Sequence, residues 1–194
     1  MPEFKNITKK YGDKTVLDNF SLKLTKNSPT VIMGESGCGK TTLLRIAAEL
    51  ERADSGKFEA HGENIAYMFQ EPRLLPWKNS LDNILAVLPK NSLDIATKHL
   101  SATGLDVDTD GKKFPSELSG GMRQRVAFAR FLAYAESTNA TLLLLDEPFS
   151  ALDDTTAEKM ASILREFSKN KTLLIVTHDE ADAIRLGAEV IRLQ

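Results

Sequence analysis

The segment Gly34-Glu-Ser-Gly-Cys-Gly-Lys-Thr41 constrains this chain more than any other stretch. It reads as glycine, four residues, then Gly-Lys-Thr, set between an apolar run, Pro29-Thr-Val-Ile-Met33, and a helix-patterned stretch from Thr41 to Leu50. Glycines let a backbone wrap closely around a small anion, with several amide N–H groups pointing inward. The helix that follows adds the partial positive charge of its N-terminus. A strand before the loop and a helix after it are the context of a phosphate loop rather than of a plain glycine turn. In that setting Lys40 supplies a mobile cation for the β- and γ-phosphates of a nucleotide, and the Thr41 hydroxyl suits Mg2+.

The rest of the chain alternates strand and helix signals. Phe20, Leu22 and Leu24 alternate with Ser21 and Lys23, the period of a half-buried strand. After the turn signal Asp54-Ser55-Gly56, short strands are expected around Gly56–Ala60 and Asn64–Phe69. From Glu71 to about Tyr134 the pattern is mostly helical; Asn79 or Ser80 caps one helix, and Ser92 caps another that stops near Gly104. Strands return at Thr141–Asp146, Lys171–Thr177 and Glu189–Leu193, and Met160, Ile163, Leu164 and Phe167 form one apolar helix face between the first two. The expected fold is α/β, a phosphate-loop nucleotide-hydrolase type with a mostly parallel core sheet flanked by helices. It forms one domain over residues 1–194, with a small antiparallel β part and a helical subdomain inserted at about 71–136.

Composition bounds the function. The chain has 42% hydrophobic and 27% charged residues and a formal net charge of -2, which suits a folded domain and gives no basic field for coating nucleic acid. One cysteine, Cys38, excludes an internal disulfide and fits a reducing compartment. It sits in the phosphate loop, where a small filler is the simpler role and a redox switch has little behind it. The start, Met-Pro-Glu-Phe-Lys, has no apolar run of a secretory signal, and runs such as Leu142–Leu145 are far too short to span a bilayer. His61 and His99 match no motif and are expected on the surface.

Leu142-Leu-Leu-Leu-Asp146-Glu147 ends an apolar strand with two carboxylates. Asp146 is suited to hold Mg2+, and the strand's carboxyl end should aim it at the phosphate loop of a neighbouring strand. Glu147, one residue on, is better set to act as general base on water.

Between these motifs stands Leu118-Ser-Gly-Gly-Met-Arg-Gln-Arg125, in which Ser119 offers a hydroxyl and Gly120 and Gly121 offer exposed amides. In this order the three elements resemble the ATP-binding-cassette family, and the resemblance runs from about Tyr11 to Leu193. It implies an Mg2+-dependent ATPase whose Ser119, Gly120 and Gly121 face the γ-phosphate of ATP held by a second subunit. The candidate nucleotide set is then Tyr11, Gly34, Glu35, Ser36, Gly37, Cys38, Gly39, Lys40, Thr41 and Thr42, completed by the partner's serine and glycines. Tyr11 resembles the aromatic that stacks on adenine; Gln70, the glutamine that senses Mg2+ and the lytic water; and His178, the γ-phosphate switch histidine. The catalytic set is Glu147, His178, Gln70 and Lys40, the metal set Thr41, Gln70 and Asp146, and Ser150-Ala-Leu-Asp153 looks like the segment crossing the dimer interface.

Phe69-Gln-Glu-Pro-Arg-Leu-Leu-Pro-Trp77 resembles the corresponding segment in importers of nitrate, sulfonate, taurine and related solutes. There it meets the membrane subunits, so Leu74, Leu75 and Trp77 are candidate docking residues; the competing role for Trp77 is packing inside the helical subdomain. The resemblance implies a homodimer or cassette–cassette dimer, integral membrane permease subunits, a solute-binding protein in the same system, and a place at the cytoplasmic face of the membrane. An alternative is a cassette ATPase acting on nucleic acid or ribosomes. DNA-repair relatives carry a long coiled-coil insertion and ribosomal ones usually fuse two cassettes; the compact, single cassette here departs from both. The chain stops soon after His178 and looks trimmed between Gly56 and Phe69, so no C-terminal effector domain is expected.

Overall fold

The computed structural model describes residues 1–193. The chain opens with a hairpin, β1 (Glu3–Tyr11) and β2 (Lys14–Lys23), joined by a Gly12-Asp13 turn. Then come β3 (Thr30–Met33), α1 (Lys40–Ala47), β4 (Ser55–Glu59) and β5 (Ile65–Met68). Helices α2 (Ser80–Leu85), α3 (Leu93–Ala102) and α4 (Gly120–Ser137) follow. The chain closes with β6 (Leu142–Asp146), α5 (Asp154–Phe167), β7 (Thr172–Val176), α6 (Glu180–Leu186) and β8 (Glu189–Arg192). A five-stranded sheet has the order β5-β6-β7-β3-β8 with parallel pairing throughout, and β2-β1-β4 form a separate antiparallel sheet.

Period-two alternation explains why β6 and β7 carry almost no polar residues. Leu143, Leu145, Leu173 and Ile175 face one apolar cluster with α4 and α5, while Leu142, Leu144, Leu174 and Val176 face the other with α1 and the first hairpin. A strand covered on both faces must be apolar at every position, and both strands are fully buried. A third cluster, with Ile84, Leu100, Val126 and Ala129 at its centre, gathers α2, α3 and one side of α4.

Several local expectations are refined. Helix α1 ends at Ala47, short of Leu50, because Glu49 turns into the left-handed region and the Leu50 and Glu51 amides both donate to the Arg45 carbonyl. Asn79, not Ser80, caps α2 by accepting from the Asp82 amide; Ser92 occupies the cap position of α3 without a side-chain hydrogen bond. β6 is not a neighbour of β3: β7 lies between them, so Asp146 reaches the phosphate loop across one intervening strand. His99 is buried, only 4% exposed, edge-on to Phe167 with Nε2 2.7 Å from the Glu136 carboxylate, which corrects the surface expectation. No described helix is long and apolar enough to cross a membrane.

Candidate functional site

In an open parallel sheet, ligands bind beyond the carboxyl ends of the strands. Here β3 runs into the phosphate loop, β5 into Gln70, β6 into Glu147 and β7 into His178, so four strand ends deliver four functional segments to one edge. They surround a cavity of about 630 Å³. The first hairpin contributes Tyr11, Lys14 and Val16; the loop and α1 contribute Ser36, Gly37, Gly39, Lys40, Thr41 and Thr42; Gln70, Glu147 and His178 complete the wall. Gly34, Glu35 and Cys38 line a depression on the other side of the loop.

The loop itself shows why glycine is needed. Gly39 takes φ 100° at the cap of α1, and a Cβ there would stand 2.6 Å from the Val16 carbonyl oxygen. The missing Cβ lets the loop pack directly against the Val16 carbonyl and the Leu17 side chain of β2. Lys40 is 9% exposed, and its ammonium donates to the Gly34 and Glu35 carbonyls at 2.7 and 2.8 Å. The cation expected on the nucleotide's phosphates thus spans its own loop, bound to two carbonyl oxygens.

At the cavity floor the Thr41 hydroxyl donates to Asp146 Oδ1 at 3.2 Å. Burial pushes the Asp146 carboxyl up from its ordinary value; the Glu147 charge pushes the same way, and the Thr41 hydrogen bond opposes both. A hydroxyl and a desolvated carboxylate are the hard oxygen donors that Mg2+ takes. Behind them the Tyr67 hydroxyl, its pKa raised by burial and then by the Asp146 charge, lies 3.5 Å from Asp146 Oδ2.

Glu147 sits with φ 47°, a left-handed backbone that is uncommon for a glutamate, and its amide donates to the Val176 carbonyl at 2.9 Å. This turn swings its carboxylate over the end of β7. One oxygen meets His178 Nδ1 at 2.8 Å, the other the Thr177 hydroxyl at 3.2 Å. The hydrogen bond to Glu147, helped by its charge, raises the His178 pKa above the ordinary imidazole value.

Tyr11 stands 49% exposed at the mouth, its hydroxyl donating to the Glu51 carboxylate, with Lys9 5.4 Å from the ring centroid. The ring is therefore free for a planar ligand rather than packed on the sheet. Lys14 and Val16 are site residues that sequence reasoning missed. The Tyr11-Gly-Asp-Lys14 hairpin turn was the available signal, because a two-residue loop pairs Tyr11 with Lys14.

Ser119, Gly120 and Gly121 are not brought into this cavity. Ser119 caps α4, accepting from the Met122 amide at 3.2 Å, and both Ser119 and Gly120 are exposed. Gly121 lies against the Ser150–Asp153 segment, since a Cβ there would stand 3.2 Å from the Ala151 carbonyl oxygen. Buried Gln124 ties the same helix to the loop after Glu147, donating to the Pro148 carbonyl at 3.1 Å.

Trp77 is 71% exposed and is not packed inside the helical part. The loop that presents it is stapled from below by buried Asn83, which accepts from the Leu75 amide and donates to the Leu75, Lys78 and Asn79 carbonyls at 2.7 to 3.1 Å. Asn83→Ala is expected to lower stability by about 2–4 kcal/mol in urea unfolding, because several loop groups lose their partner at once. An unchanged midpoint would show that the loop holds without it.

The fold and the loop geometry define a phosphate-loop nucleotide-binding protein of α/β type. Residues 17–150 match the family described as ABC transporter. The chain is 40% identical to the aliphatic sulfonates import ATP-binding protein SsuB 1 of Burkholderia lata, over 97% of this chain and 59% of that protein. It is 41% identical to SsuB 2 of Xanthomonas axonopodis pv. citri (98% and 66%) and 39% identical to SsuB of Yersinia pestis (97% and 71%). It thus spans less than two thirds of the first two relatives' length. Among solved structures, the ATP-binding cassette MJ0796, in a dimeric post-hydrolysis state bound to ADP and Pi, superposes with TM-score 0.88 at 30% identity, covering 100% of this chain and 94% of that one. This chain belongs to the ABC transporter family.

Proposed function

We propose that the chain is the ATP-binding and ATP-hydrolysing subunit of an importer of small solutes. The observation that carries this is one cavity at a single sheet edge lined by Lys40, Thr41, Glu147 and His178, with buried Asp146 hydrogen-bonded to Thr41 behind its wall. Mg2+ would be held by Thr41 and Asp146 with Gln70 beside it, and supplies charge neutralisation on the phosphates. Lys40 and the loop amides bind and orient the triphosphate, Tyr11 takes the adenine, and Glu147 accepts a proton from the attacking water while His178 holds its carboxylate.

The site works as half of a pair. A second copy covers the γ-phosphate with Ser119, Gly120 and Gly121, and that copy's ATP is covered in turn. The α4 N-terminus is exposed and lies outside the cavity of its own chain, which supports the composite arrangement. Residues of about 71–136 then act as a helical subdomain, and the exposed Trp77 loop is the contact for permease subunits at the cytoplasmic face of the membrane. The names of the sulfonate importers favour an organic anion delivered by a solute-binding protein.

The test is phosphate release by the purified chain with Mg2+ and ATP. Turnover should stop on chelation with EDTA and fall by at least about tenfold in Ser119→Arg, where a bulky cation replaces a hydroxyl at a meeting of two surfaces. ATP binding to the single chain should survive. Native turnover in Ser119→Arg would remove the composite site.

A further inference from the structure

The Glu147 carboxylate is held from two sides, and only the His178 side belongs to the motif reading. The second contact, Thr177 Oγ1 at 3.2 Å, is fully buried. The same hydroxyl lies 2.8 Å from Asp182 Oδ2 and accepts from the Asp179 amide at 3.1 Å. Asp182 is 3% exposed, and its other oxygen takes Arg185 Nη1 at 3.0 Å; Arg185 reaches on to Asp154 at the start of α5, 2.6 Å away. A polar chain thus runs from buried Glu147 through Thr177 and Asp182 to Arg185, whose far partner Asp154 stands exposed at the start of α5.

Such a chain is costly where a member lacks a partner, and each member here has at least one. The threonine hydroxyl has one proton and faces two carboxylate oxygens. Asp182 has Arg185 as an independent partner, whereas Glu147 Oε2 has only Thr177. Burial pushes the Asp182 carboxyl up, while its hydrogen bonds with Thr177 and Arg185 pull the other way. The left-handed turn at Glu147, φ 47°, is held by its own backbone, whose amide donates to Val176 and whose carbonyl accepts from Ser150, which leaves His178 and Thr177 to place the carboxylate.

We propose that Thr177, anchored by Asp182 and Arg185, is a positioning residue that holds the Glu147 carboxylate toward the attacking water. This rests on Glu147 acting as the base. It places no group on substrate; it acts through Glu147 alone.

The experiment compares Thr177→Val, Thr177→Ser and Thr177→Ala, each alone and with Glu147→Gln, by steady-state and single-turnover hydrolysis of Mg-ATP. Val and Ala are expected to lower kcat by about tenfold or more, the scale of a lost hydrogen bond to a charged group, with KM for ATP within about twofold. Ser should stay within about threefold of the native chain. With Glu147→Gln present, the threonine variants should cost nothing further, because the group they position no longer acts. Equal kcat in the Ser and Ala variants, which differ only by the hydroxyl, would overturn the proposal even if Val fails to fold. So would an undiminished loss in the Glu147→Gln background. Near-native turnover in Glu147→Gln alone would overturn it through the base it depends on. An inactive Glu147→Gln beside native Val, Ser and Ala variants would leave the base standing and remove Thr177.

Discussion

Glu147→Gln is expected to bind ATP with nearly native affinity while hydrolysis falls by about two to four orders of magnitude. Glutamine keeps the length of the side chain and one carbonyl oxygen, so the contact with His178 Nδ1 at 2.8 Å or with Thr177 at 3.2 Å can persist. It cannot accept a proton, so the loss should fall on kcat and not on binding. An ATP-bound pair that cannot fire should accumulate, and size-exclusion chromatography with Mg-ATP should show the variant as a dimer where the native chain is largely single. Native turnover would take the base role from Glu147.

Lys40→Ala should weaken ATP binding by about a hundredfold or more, measured by calorimetry, with little change in thermal unfolding. The ammonium is the cation of the loop, and charge-assisted hydrogen bonds to phosphate are among the strongest a side chain makes. In the fold its partners are the Gly34 and Glu35 carbonyls, with Cys38 Sγ 4.0 Å away, all on the loop itself. Those acceptors turn to water when the ammonium is removed, which is why the fold should tolerate the change. Equal affinity in the two proteins would place the cation elsewhere, and Lys14, on the same wall, would be the next to replace.

Where chemistry demands a fixed spacing along the chain, the sequence was legible. The glycines of the loop, Asp146 beside Glu147 and the leucine run of β6 each follow from local rules, and the α/β alternation follows from period and length. Contacts made by distant segments were not legible in this way. His99 looked like a surface residue because its partners, Glu136 and Phe167, come from two other helices. The insertion of β7 between β3 and β6 is a matter of sheet order, which no local pattern encodes. Thr177 and Asp182 escaped notice because a threonine before a histidine carries no signal until the sheet brings it beside Glu147. Trp77 was open between two roles, and its exposure favours the docking one.

ATP should be hydrolysed only between two copies of the chain. The measurement that tests this most directly is the hydrolysis rate per chain over a wide dilution series of the native protein in Mg-ATP. The rate per chain should rise with protein concentration and level off as pairs saturate, with Ser119→Arg flat near zero at every concentration. A native rate per chain that stays constant on dilution, matched by Ser119→Arg, would contradict hydrolysis between two copies.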